Sequence, residues 1–266
     1  TVNVNDSPPV VTATSSNVDI CVGDNVTLTG GGAHLYSWDN GVSDGVSFSP
    51  SDTTLFTVTG TDTLNGCTDT ENITINVDPA PTTANAGVDQ SQCNDENFVL
   101  DANEPQVGTG QWNVINSVAN INDINSGNSS VSGINPGNTA GLKWTISHGN
   151  CPASSDTVYL TNKPLPNADI VNNTGSNELT CAVSSISVTA SGGISFVWSD
   201  GDSTENKTLN NDGKYFVTVT SNNGCSAVDS IEIFKNNFPP EIFAGDDFTI
   251  TCVSHVNGDT LGNTFS

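Results

Sequence analysis

The sequence predicts an all-β chain: tandem β-sandwich domains in an elongated array. Three observations carry this. Apolar and polar residues alternate over short β-branched and aromatic runs, as in Tyr215-Phe216-Val217-Thr218-Val219-Thr220, where Tyr215, Val217 and Val219 share one face. Turn chemistry brackets such runs: Asp200-Gly201, Asp212-Gly213 and Asn223-Gly224 supply the side-chain closure and the positive φ that tight turns need. Landmarks also recur at fixed spacing, the mark of an internal repeat. Cys21 precedes Trp38 by 17 positions, and Cys181 precedes Trp198 by 17. Asn65-Gly66-Cys67 matches Asn223-Gly224-Cys225, and Ile73 and Ile231 each follow that cysteine by six.

Taken in order, residues 1–7 read as the last strand of a preceding domain: Val2 and Val4 run into Pro8-Pro9 as Ile75 and Val77 run into Pro79 and Pro81. A first repeat spans 8–80, with strands expected at Val10–Ala13, Val26–Thr29, Leu35–Trp38, Val46–Ser49, Phe56–Gly60 and Ile73–Val77. A second, of a different type, spans 81–164. It places Phe98 with Leu100 and Trp112 with Val114 on inward faces, then Trp144 with Ile146 and Val158 with Leu160 on the last two strands. A third spans 165–238, with Ile186, Val188 and Ala190, Phe196 and Trp198, Tyr215 to Val219, and Ile231 with Ile233. Residues 239–266 open a further repeat, since Ala244-Gly245-Asp246-Asp247 and Cys252 mirror Ala86-Gly87-Val88-Asp89 and Cys93. Prolines mark every junction (Pro8-Pro9, Pro79 and Pro81, Pro164 and Pro166, Pro239-Pro240), so the links are short and stiff, and stiff links between beads make a rod.

Composition narrows the role. Five basic residues stand against 29 acidic ones, a formal net charge of −24. Such a chain repels phosphates and anionic membrane surfaces, so nucleic-acid binding is excluded as a reading. No run approaches the ~18 apolar residues that span a bilayer, so no membrane insertion is expected in this stretch. The seven cysteines show no Cys-x-x-Cys spacing and no pairing with histidine, which turns them from zinc towards disulfides and an oxidising compartment. Six of them fall two per repeat. The pairs that bracket a repeat are Cys21–Cys67, Cys93–Cys151 and Cys181–Cys225, and these are the expected bridges, each stapling one end of its sandwich.

The strings aromatic-x-Trp-Ser-x-Gly (Phe196 to Gly201), Gly-x-Tyr-x-Val-x-Val-Thr (Gly213 to Thr220) and Asn-Gly-Cys resemble the PKD-like and immunoglobulin-like repeats of very large bacterial surface proteins. Those proteins are typical of gliding bacteria and of type IX secretion. The segment from Gly110 to Cys151 resembles a second repeat type of the same arrays. The resemblance implies tandem immunoglobulin-like (PKD-like) β-sandwich domains, secreted and placed outside the cell or on its surface. It implies a structural role: a segment of a filament or stalk that spaces or assembles by end-to-end contacts with copies of itself or with adjoining repeats. Alternatives are an adhesin binding a glycan or a surface protein, with calcium as a possible cofactor, and the accessory repeats of a secreted enzyme. Asp-Ser/Thr triplets resemble the O-glycosylation signal of that bacterial group, which makes Thr53, Thr63, Thr157, Ser203, Ser230 and Thr260 candidate glycan sites.

Other candidate sites have plainer readings. Trp38, Trp112, Trp144 and Trp198 could stack on sugars, but their strand patterns put them in the core. Tyr215, just after an Asp-Gly turn, reads as a corner tyrosine. His34, His148 and His255 fall at unrelated places with no nucleophile motif, so no enzyme is expected. Asp200, Asp202 and Glu205 share a loop and could serve as calcium ligands; the alternative is solvated turn carboxylates, since no complete ligand loop is present. The end segments should meet neighbouring copies through Val2, Val4, Phe243 and Cys252. A covalent array is favoured there over strand donation, because the internal junctions show the same strand–proline–domain order.

Overall fold

The computed structural model describes residues 7–94 and 97–236. Among them there is no helix, and the strands fall into three sets with no sheet shared between sets. The first set comprises β1 (Thr12–Ser15), β2 (Asp19–Cys21), β3 (Val26–Gly31), β4 (Leu35–Trp38), β5 (Ser47–Phe48), β6 (Thr54–Thr61) and β7 (Thr68–Asp78). It forms a β1-β3-β5 sheet facing a β2-β7-β6-β4 sheet. The second comprises β8 (Gln90–Cys93), β9 (Phe98–Val99), β10 (Thr109–Asn116), β11 (Asn120–Ile121), β12 (Ser130–Ser132), β13 (Thr139–Ser147) and β14 (Ser154–Lys163), arranged as β11-β12-β9 over β10-β13-β14-β8. The third comprises β15 (Asp169–Asn172), β16 (Glu178–Leu179), β17 (Ile186–Ser191), β18 (Ser195–Trp198), β19 (Asn206–Leu209), β20 (Gly213–Thr220) and β21 (Ser226–Lys235), and repeats the first set's plan as β15-β17-β19 over β16-β21-β20-β18. Two packed antiparallel sheets of this kind are immunoglobulin-like sandwiches.

Each sandwich has its own core. All four tryptophans are buried, so their faces are taken by neighbouring side chains rather than offered to a ligand. Trp112 and Trp144 sit directly opposite each other on β10 and β13 with ring centroids 5.0 Å apart. On β20 the alternation is as read: Val217 and Val219 point inward, and Phe216 stays outside. On β10 the inward face ends at Trp112. Val114 pairs with Leu142 just before a register irregularity and is 39% exposed, rather than packed in the core as expected. The Tyr215 hydroxyl donates to the Asn211 carbonyl at 3.0 Å, as a corner tyrosine does.

Among the strands that sequence reading passed over are β2, β8 and β16. They are two to four residues long, too short to show an alternation, and each pairs parallel with the C-terminal end of its sandwich's long last strand. The register sets Cys21 against Asp78, Cys93 against Lys163, and Leu179 against Lys235. This detail places the cysteines.

Candidate functional site

The last hairpin turn of each sandwich carries the second cysteine of the repeat. Gly66 and Gly224 take φ of 73° and 85° there, which Asn-Gly supplies without strain. Asn65 and Asn223 accept the backbone N–H of Cys67 and Cys225 through Oδ1, each at 2.9 Å, holding the cysteine in an Asx turn. The same asparagines reach the incoming chain: Asn223 Nδ2 donates to the Pro164 carbonyl at 2.9 Å, and Asn65 Nδ2 to the Ser7 carbonyl at 3.3 Å. In the second sandwich the order is Gly149-Asn150-Cys151, and the Asn150 backbone N–H donates to Asp78 Oδ2 at 2.8 Å. Gly149 has φ of 47°, and a Cβ there would collide with the Asp78 carboxylate. The turn therefore lies at the entry end of its sandwich, against the exit end of the sandwich before.

The first cysteine of each repeat lies at the other end. Because β2 runs parallel to β7, Cys21 sits beside Asp78, at the exit. Cys67 precedes the 11 residues of β7, which span about 35 Å at ~3.3 Å per residue. A disulfide tolerates a Cα separation of roughly 7 Å at most. The expected Cys21–Cys67, Cys93–Cys151 and Cys181–Cys225 bridges are therefore corrected. The structure pairs Cys21 with Cys151 and Cys93 with Cys225, at Cα separations of 4.7 and 5.6 Å. Both bridges join the exit of one sandwich to the entry turn of the next. Cys151 is also within 3.4 Å of the Asp78 and Pro79 carbonyl oxygens, so the first junction packs on its own linker. Cys21, Cys151 and Cys225 are buried; Cys181 is an exposed thiol.

The acidic loop of the third sandwich is occupied by a lysine. Lys207 Nζ contacts Asp200 Oδ2 at 2.8 Å and Asp202 Oδ2 at 2.9 Å, and lies 5.6 Å from the centroid of the Trp198 ring. The Thr204 backbone N–H, then the Lys207 ammonium, hold the Asp202 carboxyl down to about 2. Asp200 is lowered as well, first by its bond to Lys207. Burial works against the Lys207 charge, but the two carboxylates outweigh it and its pKa is raised. With an ammonium where a cation would sit, Asp200, Asp202 and Glu205 do not fit a calcium site. Among the described residues no group of three or more His, Cys, Asp or Glu side chains could hold a metal.

The remaining candidates are dispersed. Thr53, Thr63, Ser203 and Ser230 are exposed and Thr157 is half-buried. The Thr53 hydroxyl accepts the Val77 N–H at 3.0 Å. Two aspartates of the triplets have structural work: Asp156 and Asp229 each accept a backbone N–H, from Ala86 and Ile170, at 2.9 Å. The Ala86 bond is the chief reason the Asp156 carboxyl titrates below its usual range. His34 pairs with Asp62 at 2.9 Å on the surface. Val2, Val4, Phe243, Cys252, His255 and Thr260 lie outside the described residues. No helix among the described residues is long and apolar enough to cross a membrane.

The chain matches no protein-family model and no curated protein. Among solved structures it is similar to a three-immunoglobulin-domain fragment of titin carrying E-to-A mutations, at 12% identity and a TM-score of 0.46, covering 86% of this chain and 99% of that one. It is similar to the N-terminal eight immunoglobulin domains of Down syndrome cell adhesion molecule, at 11% identity and a TM-score of 0.41, covering 87% of this chain and 42% of that one. It is also similar to cadherin domains 1–4 of protocadherin gamma B7, at 13% identity and a TM-score of 0.36, covering 86% and 76%.

Proposed function

We propose that this chain is a load-bearing spacer: a stretch of an extracellular bacterial filament or stalk whose sandwiches are locked end to end. The observation that carries it is the pair of staggered disulfides, Cys21–Cys151 and Cys93–Cys225, each straddling a junction. A bridge beside a proline linker gives a junction two covalent tethers instead of one and removes most of its hinge freedom. Within-sandwich bridges would stabilise domains but leave the joints free. The formal charge of −24 keeps neighbouring rods apart in solution. Disulfides require an oxidising compartment, which suits a secreted protein of the gliding-type, type IX-secreted class that the repeats resemble. O-glycans on at least one of Thr53, Thr63, Thr157, Ser203, Ser230 or Thr260 belong to the same proposal, and an intact mass equal to the bare polypeptide would remove them.

Immunogold labelling of producing cells tests the role. Label along thin projections, with small-angle scattering of the purified chain showing a rod that loosens on reduction, is the expected result. Label confined inside the cell, or oxidised and reduced chains scattering alike, would overturn it.

A further inference from the structure

The two bridges obey one rule. The cysteine ending the short parallel strand of one sandwich bonds to the hairpin-turn cysteine of the next, over separations of 130 and 132 positions. The third sandwich builds the donor half of this joint again. Its short strand β16 pairs parallel with the end of β21, as β2 does with β7 and β8 with β14. The Asn236 N–H donates to the Leu179 carbonyl at 2.9 Å, closing the exit end, where Val22 donates to Asp78 and Asn94 to Lys163 in the other two. Two residues beyond Leu179 stands Cys181, an exposed thiol on the rim of a shallow groove shared with Ser184, Asn210 and Lys235. Leu179 and Lys235, the last pair of β16 and β21, line this groove, and at the first junction the corresponding strand-end pair, Cys21 and Asp78, meets the Gly149-Asn150-Cys151 turn.

We infer that Cys181 is the donor half of a third inter-sandwich disulfide, whose partner is the hairpin-turn cysteine of a further sandwich on the continuing polypeptide, about 130 positions after Cys181. The groove receives that turn. Each of the three sandwiches is then bridged forward from its exit. Cys252 is not the partner. In sequence it matches Cys93, the first cysteine of its repeat, and lacks the Asn-Gly-Cys or Gly-Asn-Cys string of the hairpin turns. The reaction is a thiol–disulfide exchange. The two thiols lose their protons and two electrons, the Sγ–Sγ bond forms, and a protein disulfide of an oxidase or isomerase is reduced to its dithiol.

This inference rests on the junction reading above, and the test separates the two. The polypeptide extended through the next complete sandwich is purified without reductant, alkylated with N-ethylmaleimide, digested unreduced and mapped by mass spectrometry. A Cys181 peptide linked to the next hairpin-turn peptide is expected. An alkylated Cys181, or Cys181 linked to Cys225, to Cys252 or to a second copy, overturns the inference. If the Cys21–Cys151 and Cys93–Cys225 peptides are found while Cys181 is unlinked, only the inference fails; if they are missing too, the junction reading fails with it. Cys181→Ser in the same polypeptide should expose one new maleimide-reactive thiol, on the next hairpin turn, with the unfolding transitions of the first two sandwiches unmoved. No new thiol would also overturn it.

Discussion

Staggered bridges change how far the chain can be stretched, and not additively. Between Cys21 and Cys225 the oxidised chain offers a short path: across to Cys151, back along the backbone to Cys93, and across to Cys225. That path holds 58 residues, about 200 Å when fully extended at ~3.6 Å per residue. With both bridges reduced, the 204 residues between Cys21 and Cys225 are free, and the chain lengthens by about 500 Å. Removing only the first bridge with Cys21→Ser/Cys151→Ser leaves a path from Cys21 to Cys93 and across to Cys225, 72 residues. The gain is then only about 50 Å. Bridges closed within repeats would behave differently: the same double substitution would release the 46 residues of one loop and the 58 of another, about 370 Å. Single-molecule force spectroscopy with handles at the chain ends reads these lengths directly. A gain near 370 Å for the double variant would refute the staggered connectivity and the load-bearing role derived from it.

Trp198→Ala should destabilise the third sandwich by about 3–5 kcal/mol in denaturant titration, since a fully packed ring leaves a cavity; an effect below 1 kcal/mol would contradict its core placement. Asn223→Ala removes the bonds to Cys225 N–H and to the Pro164 carbonyl and should cost about 1–2 kcal/mol by the same measurement. The lowered carboxyls of Asp200 and Asp202 contribute stability that is present above the ordinary value of 3.8 and is lost as pH falls towards 2, while the raised Lys207 contributes below its ordinary 10.5 and loses it as pH climbs through the folded value. In Lys207→Gln, carboxyl NMR titration should show Asp200 returning towards 3.8 further than Asp202, which keeps its Thr204 N–H; equal recovery would contradict that division. Millimolar calcium should leave the thermal midpoint unchanged, and a rise of several degrees would restore the calcium reading.

The sandwich architecture was legible because it is local chemistry. Period-two alternation on Tyr215 to Thr220, Asn-Gly before Cys67 and Cys225, and apolar neighbours around the four tryptophans each dictate structure within a few residues. Cysteines that fall two per repeat without zinc-type spacing likewise pointed to disulfides and an oxidising compartment. What the sequence could not decide was which cysteine meets which. That depends on β2, β8 and β16, strands such as Gln90-Ser91-Gln92-Cys93 with almost no apolar signal, which form only because the end of a long last strand offers them a free edge. Their parallel pairing carries the first cysteine of each repeat about 35 Å from the second, and tertiary geometry alone then gives it a partner in the next sandwich. Lys207 is the same case on a smaller scale. Asp200 and Asp202 stand two apart in one loop, but the ammonium that fills the loop arrives on β19, which pairs antiparallel with β17. Side chains that meet across a fold leave no periodicity in the chain, so their partners are set only when the sheets close.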